Sequence, residues 1–228
     1  MKNIARQLQA LRDQIHAMEQ KYARLPGSVR LLTVSKARSV EEILATIGCN
    51  QHDFGENYLQ EALAKITALR DATLTWHFIG TVQSNKTRVI AENFAWIHSV
   101  DRIKIAQRLN DMRPDNLPEL NICIQINISA EASKSGIRPQ QCREFANSIK
   151  TMPRLRLRGL MTMPRASDNF DEQRQAFRAL RHCHEQLNAE GHRLDTLSMG
   201  TTSDIEAAIA EGATIVRIGT AVFGLRDR

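Results

Sequence analysis

The stretch Leu31-Leu32-Thr33-Val34-Ser35-Lys36 is the first of eight short apolar runs in this 228-residue sequence. Most segments between the runs have the apolar spacing of a helix, as residues 40–47 and 57–69 do. Eight strands that alternate with helices predict a (β/α)₈ TIM barrel of the α/β class. A doubly wound open sheet is the alternative, but it usually has fewer strands, and no Gly-x-Gly-x-x-Gly follows the first run. The other runs end near Gly55, Gly80, Val100, Ser129, Met161, Gly200 and Gly219.

The composition predicts one soluble globular domain over residues 1–228, since 42% of residues are hydrophobic, 25% are charged, and no Pro/Gly-rich linker interrupts the chain. No run approaches the roughly 18 apolar residues of a membrane span. The N-terminus has no signal-peptide pattern and predicts an extra amphipathic helix before the barrel. Its apolar residues recur at spacings of three and four: Ile4, Leu8, Leu11, Ile15 and Met18.

Cysteine usage and charge exclude several classes of protein. The four cysteines are scattered without a C-x-x-C pair, which predicts reduced thiols in the cytoplasm and no zinc site. His182, Cys183 and His184 point in different directions on a predicted helix, which favours a solvated face over a metal site. The net charge of +6 comes from dispersed basic residues, with only two Trp and two Tyr, so no specific nucleic-acid site is expected.

Polar residues collect where the predicted strands end, which is the face that carries barrel active sites. Lys36 ends the first run, where partial burial disfavours its ammonium form and makes the amine a nucleophile for a carbonyl. The alternative is a strand-end lysine with its head in water. The other polar strand-end residues are Glu56, Asn57, His77, Ser84, Asn85, Asn127, Ser198 and Arg217.

Two segments predict a phosphate site. Residues 198–204, Ser-Met-Gly-Thr-Thr-Ser-Asp, lead into a helix with Ser203 as its N-cap, and Gly219 ends the last strand. The loops after strands seven and eight frequently bind phosphate in barrels. Period-two alternation turns Arg217 away from Val216 and Ile218, and inside the barrel mouth its charge needs a partner such as a pyridine nitrogen. A lysine, a phosphate cradle and this arginine together predict a pyridoxal-phosphate site.

With these residues assembled, the chain resembles the pyridoxal phosphate homeostasis proteins, the single-domain relatives of the alanine racemase barrel, which have fold type III. The matching motifs, in order over roughly residues 30–226, are TVSK, FGENYLQE, WHFIG with QSNK, HSVD, QINIS with KSG, RGLM, SMG and VRIGTAVFG. The resemblance implies that Lys36 forms the aldimine with pyridoxal 5'-phosphate and that Arg217 faces the pyridine nitrogen. It also implies a phosphate site at Ser198, Thr202, Gly219 and Thr220, and a ring pocket at Asn57 and His77, with Ser84 and Asn85 nearby.

Three segments depart from the family pattern. Gly200-Thr201-Thr202 stands where the family usually has Gly-Met-Ser, which keeps a hydroxyl and adds a methyl group. Ala37-Arg38-Ser39 replaces a segment that commonly contains lysine and proline, and Thr81-Val82 replaces proline and leucine. These differences put the phosphate affinity and the mouth of the site in question.

The resemblance leaves enzyme and carrier as competing functions. Racemization needs acid/base groups on both faces of the adduct, and alanine racemases bring a tyrosine from a second domain. This chain ends at Arg228, which implies that the second domain is absent, and neither Tyr22 nor Tyr58 is an obvious base. Arg217 at the ring nitrogen also weakens the electron sink. We therefore expect a cytoplasmic, monomeric carrier that holds the cofactor without dedicated turnover, with pyridoxal-phosphate-dependent apo-enzymes as partners.

Three alternatives remain open at this stage. One is a weakly active amino-acid racemase or decarboxylase. Another is an aldolase that uses Lys36 directly without a cofactor. A nucleic-acid-binding barrel is the third, and it predicts steeply salt-dependent binding.

Overall fold

Eight parallel strands close into a barrel in sequence order, with β8 paired to β1. The structure is a computed structural model that describes residues 4–131 and 134–224. The (β/α)₈ prediction is thereby confirmed, whereas residues 1–3 and 225–228 of the predicted domain, with Arg228, lie outside the described residues. The strands are β1 Arg30–Val34, β2 Asp53–Glu56, β3 Thr75–Phe78, β4 Trp96–Val100, β5 Leu120–Gln125, β6 Leu155–Met161, β7 Thr196–Ser198 and β8 Ile215–Ile218.

Helices lie between the strands and follow the predicted order. The segment 40–47 is helical over its full predicted length, because Ser39 and Glu42 form a capping box. Short 3-10 turns precede two helices, at Ser84–Lys86 and Pro139–Gln141. The helices are α1 Ile4–Lys21, α2 Val40–Ile47, α3 Leu59–Ala68, α4 Thr87–Asn93, α5 Ile103–Met112, α6 Cys142–Ile149, α7 Phe170–Ala189, α8 Ile205–Ala210 and α9 Thr220–Phe223.

The N-terminal helix α1 packs on the outside of the barrel, against α2, α8 and α9. All five apolar residues predicted for its inner face are buried. Polar contacts add to this docking, because the Tyr22 hydroxyl donates to Glu206 at 2.9 Å and Arg24 donates to the carbonyls of Ile209 and Ala213. The sequence prediction for this helix is confirmed.

The barrel has two separate buried regions. The main apolar core lies between strands and helices and contains Val216 and Ile218. Inside the barrel, Trp96, Cys123 and Met161 form a smaller cluster. Buried polar residues share the barrel interior, among them His77, His98, Ser198 and Arg217, each at most 4% exposed. The interior is thus unusually polar on the side that leads to the carboxyl ends of the strands.

Two features are absent from residues 4–131 and 134–224. No helix there combines the length and the apolar character that crossing a membrane requires. That part of the chain also holds no group of three or more His, Cys, Asp or Glu side chains arranged for a metal ion. On α7, His182 is exposed while Cys183 is buried, so these neighbours point in different directions.

Candidate functional site

A cavity of about 420 Å³ opens at the carboxyl ends of the strands, the face that carries the active sites of barrel enzymes. Its walls come from the segments that follow β1, β2, β3, β6, β7 and β8. The lining residues are Val34, Lys36, Arg38, Asn57, Ile79, Met163, Thr201, Thr202, Ser203, Arg217, Gly219 and Thr220. The cavity therefore brings the first strand end together with the two predicted phosphate loops.

Lys36 lies half-buried in a tight turn directly after β1. The turn is fixed on one side by the Ser35 amide, which donates to the Gly55 carbonyl at 3.0 Å. On the other side, Ala37 adopts a left-handed φ of 55° and its amide donates to Glu61 Oε1 at 2.5 Å. A left-handed backbone costs a residue with a Cβ about 1–2 kcal/mol, so this turn needs the hydrogen bonds that hold it.

A buried ionic cluster holds the Lys36 turn from behind. The Lys65 amine donates to the Ser35 carbonyl at 2.6 Å, to Glu56 Oε1 at 2.8 Å and to Glu61. The Ser35 hydroxyl also donates to Glu56 Oε1, at 2.6 Å. Burial raises the pKa of Glu56 against the opposing hydrogen bonds from Lys65 and Ser35. We call Ser35, Glu56, Glu61 and Lys65 the lysine-loop cluster.

The two lysines of this region have opposite environments. All three donors of the Lys65 amine are engaged by the lysine-loop cluster, and its side chain is 5% exposed. Within the part of the chain that the structure describes, neither a carboxylate nor a carbonyl is bonded to the Lys36 amine. Lys36 is therefore the lysine of this cavity that can react with an electrophile.

Arg217 forms the floor of the cavity. Its guanidinium donates to Ser198 Oγ at 2.7 Å and to the Thr162 carbonyl at 2.8 Å. Burial lowers the pKa of Arg217 to about 10, so the group stays charged at neutral pH. A guanidinium has five N–H donors, and these two bonds leave donors for a ligand. The alternation predicted for β8 is confirmed, because Val216 and Ile218 pack in the outer core while Arg217 faces the cavity.

The loop after β7 requires a glycine at position 200. Its φ is +96°, and a Cβ there would lie 2.6 Å from the Ala208 Cβ. Thr201 then turns back, with its amide and hydroxyl donating to Asp204 Oδ1 at 2.5 and 2.9 Å. The N-cap of α8 is Asp204 and not Ser203 as predicted, and the Asp204 carboxylate bonds back to Thr201 rather than to the first turn of the helix.

The loop after β8 approaches the first strand closely. A Cβ on Gly219 would lie 3.0 Å from the Val34 carbonyl oxygen, closer than such atoms normally come. Glycine therefore lets the backbone of this loop reach the cavity beside Lys36. Exposed hydroxyls of Thr202, Ser203 and Thr220 surround the same side of the cavity.

Six of the predicted site residues meet in the cavity, and two do not. Asn57 lines the cavity, and its buried Oδ1 atom has no hydrogen-bond partner among the described residues. His77 and Ser198 are fully buried and do not line the cavity. Ile79, which follows the end of β3 and lies two residues after His77, occupies the wall instead. The residues that line it as predicted are Lys36, Asn57, Thr202, Arg217, Gly219 and Thr220.

Other lining residues were not predicted. Thr201 and Ser203 lie within the predicted phosphate segment, so the signal was present, but hydroxyls alone do not show which one faces a ligand. Arg38 lies two residues after Lys36, and its guanidinium donates to the Gly224 carbonyl at 2.5 Å. The residues Ser84 and Asn85 lie in the 3-10 turn before α4 and do not line this cavity.

Taken together, the residues that line the cavity offer the Lys36 amine, the buried Arg217 guanidinium and a wall of hydroxyl groups. Such a set can hold a ligand with a carbonyl group at one end and an anionic group at the other. The positive charges of Lys36, Arg38 and Arg217 favour the anion.

Comparisons with known proteins agree with this chemistry. The family of the alanine racemase N-terminal domain matches residues 7–227. A pyridoxal phosphate homeostasis protein of Pseudomonas aeruginosa is 51% identical and covers 100% of this chain and 97% of its own length. Its namesake in Escherichia coli is 46% identical, with 100% and 98% covered.

Two solved structures are similar to this chain. PipY of Synechococcus elongatus with pyridoxal phosphate (PLP) bound has a TM-score of 0.85 at 36% identity, covering 97% of this chain and 100% of PipY. An alanine racemase of Clostridium difficile has a TM-score of 0.76 at 15% identity, covering 100% of this chain and 58% of the racemase. The racemase comparison supports the fold alone.

Proposed function

The chain belongs to the pyridoxal phosphate homeostasis proteins, within the family of the alanine racemase N-terminal domain, and on this basis we propose that its barrel-mouth cavity binds pyridoxal 5'-phosphate. This cofactor supplies an aldehyde that condenses with primary amines, on a pyridine ring that carries a phosphate group. The observation that carries the proposal is the convergence of Lys36, Arg217 and the hydroxyls of the last two loops on one cavity.

Lys36 holds the cofactor covalently in this proposal. Its amine nitrogen bonds to the aldehyde carbon, and the aldehyde oxygen leaves as water. Only a neutral amine has the lone pair for this attack, and neither a carboxylate nor a carbonyl of the described residues is bonded to the Lys36 amine. The lysine-loop cluster keeps Ser35 and Ala37, on both sides of Lys36, in a single backbone conformation.

Arg217 and Asn57 recognise the ring. Arg217 has N–H donors and no acceptor, so it donates to the ring nitrogen and leaves that nitrogen unprotonated. Asn57 lines the same cavity as Arg217 and is placed beside the ring in this proposal.

The loops after β7 and β8 hold the phosphate. Thr202, Thr220 and the backbone amide of Gly219 donate to its oxygens, and the positive charge of Arg38 adds attraction. Ser198 contributes to the site through Arg217, since its hydroxyl is already bonded to that guanidinium and to His98. The close approach of Gly219 to Val34 brings the phosphate loop beside the lysine turn.

We further propose that this protein stores and supplies the cofactor to pyridoxal-phosphate-dependent apo-enzymes, as a cytoplasmic monomer without dedicated turnover. An unprotonated ring nitrogen is a weak electron sink, which disfavours carbanion chemistry. Neither tyrosine lines the cavity formed by the described residues. The Tyr22 hydroxyl donates to Glu206, and Tyr58 is 61% exposed beside a neighbouring cavity.

A titration with pyridoxal phosphate tests this function. The wild-type protein is expected to develop a visible absorption band that Lys36→Ala abolishes and that Lys104→Ala, at an exposed lysine of α5, retains. A band that persists in Lys36→Ala contradicts the assignment of Lys36 as the residue that holds the cofactor. Incubation of the loaded protein with single enantiomers of amino acids tests the absence of turnover, and sustained racemization or decarboxylation contradicts it.

A further inference from the structure

A continuous chain of hydrogen bonds runs through the barrel interior from one end to the other. Asp53, the first residue of β2, lies 3.0 Å from His77 Nε2. His77 Nδ1 lies 3.0 Å from His98 Nε2, and His98 Nδ1 lies 2.7 Å from Ser198 Oγ. Ser198 Oγ in turn accepts from Arg217 at 2.7 Å. We call these five residues the interior chain.

The two charged ends of the interior chain determine the direction of every bond when both histidines are neutral. The Asp53 carboxylate only accepts, so His77 carries its proton on Nε2 and His77 Nδ1 is an acceptor. His98 must then donate from Nε2, which leaves its Nδ1 to accept the Ser198 hydroxyl proton. Arg217 only donates, and the Ser198 oxygen accepts from it. All four bonds therefore point from Arg217 towards Asp53.

The surroundings of the histidines favour their neutral forms. Burial lowers the pKa of His77, although the Asp53 carboxylate opposes the shift. For His98, burial and the nearby His77, Arg217 and Arg30 lower the pKa well below its usual range. The Trp96 ring stacks on His77 with the centroids 5.4 Å apart, which excludes water from that side.

Asp53 remains ionised at neutral pH, as this pattern requires. Burial raises its pKa, but the hydrogen bond from His77 and the charge of Arg30 oppose burial, and the pKa of Asp53 is lowered. Arg30 Nη1 lies 3.8 Å from the carboxylate, at the amino end of the barrel. The interior chain thus joins an anion at one end of the barrel to the cation of the cofactor cavity at the other.

We propose that Asp53 is a positioning residue for Arg217 and acts through His77, His98 and Ser198. Each bond of the chain orients the next group, so the Asp53 charge holds the Ser198 oxygen ready to accept from the Arg217 guanidinium. Arg217 then meets a ligand in one orientation. The consequence for cofactor affinity rests on the proposed function, whereas the proton positions do not.

The proton positions are tested on the ligand-free protein by ¹H–¹⁵N spectra of the histidine rings and of the arginine side chains at neutral pH. The interior chain predicts that His77 and His98 are both neutral with the proton on Nε2. Doubly protonated His77, or a proton on Nδ1 of His98, overturns the proposal. This measurement needs no substitution, so it tests the proton positions even where a variant fails to fold.

Substitutions test the transmission along the interior chain. Asp53→Asn keeps an acceptor and removes the charge, and it is expected to shift the His98 and Arg217 side-chain signals. Asp71→Asn, at a side chain that is 97% exposed, is the matched control and is expected to leave both signals in place. Unchanged Arg217 signals in Asp53→Asn contradict transmission.

Cofactor affinity gives the functional readout. Asp53→Asn is expected to raise the Kd for pyridoxal phosphate about fivefold, as a coupling between connected residues does. In a Ser198→Ala background the same substitution is expected to have no further effect, because the chain is already broken. If Asp53→Asn raises the Kd equally in the wild type and in Ser198→Ala, Asp53 does not act through the interior chain and the proposal is overturned. If the protein binds no cofactor, the proposed function is contradicted. The spectra of the ligand-free protein still test whether the interior chain has the proposed proton positions.

Discussion

Lys65→Met removes the cation of the lysine-loop cluster and leaves its carboxylates in place. Glu56 is completely buried, and Lys65 and Ser35 are the partners of its Oε1 atom. Its other oxygen, Oε2, has no hydrogen-bond partner in the part of the chain that the structure describes. Methionine fills the space of the lysine stem, so the substitution mainly isolates the charge. An isolated buried carboxylate is the expected result.

The expected loss is large for a single substitution. Breaking a buried ion pair on one side lowers the free energy of unfolding by about 3–5 kcal/mol. For a chain of this size, each kcal/mol corresponds to about 2–4 °C in Tm, so we expect a decrease of about 10 °C. Lys104→Met, at an exposed site on α5, is the matched control and is expected to change stability by less than about 0.5 kcal/mol.

The loss of stability in Lys65→Met is expected to increase with pH. Without Lys65, the pKa of Glu56 rises further than burial raises it in the wild type. A carboxyl group with a raised pKa contributes its full stability below its unfolded pKa and loses it as the pH rises through the folded pKa. The difference between wild type and variant is therefore smaller at pH 5 than at pH 8.

Urea unfolding followed by circular dichroism at pH 5, 6.5 and 8 measures this difference. The double variant Glu56→Gln/Lys65→Met is expected to recover part of the stability at pH 8, because no buried charge remains. A loss that is the same at all three pH values, or a double variant no more stable than Lys65→Met, refutes the reasoning.

Two further predictions concern other parts of the fold. Gly200→Ala is expected to cost about 3 kcal/mol, from left-handed strain and from the clash with Ala208. Gly191→Ala is the control, because Gly191 has φ +87° and no atom of the described residues lies within 4 Å of the added Cβ. It should lower the free energy of unfolding by only about 1–2 kcal/mol, measured by thermal unfolding. Equal costs for Gly200→Ala and Gly191→Ala would exclude a contribution from the clash with Ala208. Burial raises the pKa of Glu211, but Arg178, Arg174 and Arg181 outweigh burial and lower that pKa. The Glu211 ion pairs therefore stabilise the fold at pH values above the pKa of Glu211 in the unfolded chain. This stabilisation is lost as the pH falls through the pKa of Glu211 in the folded protein. Glu211→Gln is expected to lose about 2 kcal/mol at pH 7 and little at pH 3 in urea unfolding, whereas an equal loss at both pH values contradicts the pairing.

Local patterns were enough to predict the barrel and the direction of Arg217. Strand and helix periodicities depend on neighbours a few residues away, so the eight runs and the helix over residues 40–47 could be predicted. Period-two alternation separated Arg217 from Val216 and Ile218, because successive side chains of a strand point to opposite faces.

Local sequence patterns could not predict how deep a side chain lies inside the barrel. Alternation assigns His77 to the inner face, but whether it reaches the cavity depends on Ile79 above it. Ser198 contacts His98, a residue 100 positions away, and no local pattern reports such a pair. The lysine-loop cluster likewise joins Ser35 to Lys65 across 30 positions, and its role emerges only from the fold.

The most direct test of the account is to identify the lysine that holds the cofactor. The protein is loaded with pyridoxal phosphate, reduced with borohydride to fix the covalent link, digested and mapped by mass spectrometry. The account predicts modification of Lys36, with Lys65 unmodified because the lysine-loop cluster engages its amine. A stoichiometric label on Lys65, Lys86 or Lys134, with Lys36 unmodified, contradicts the central claim.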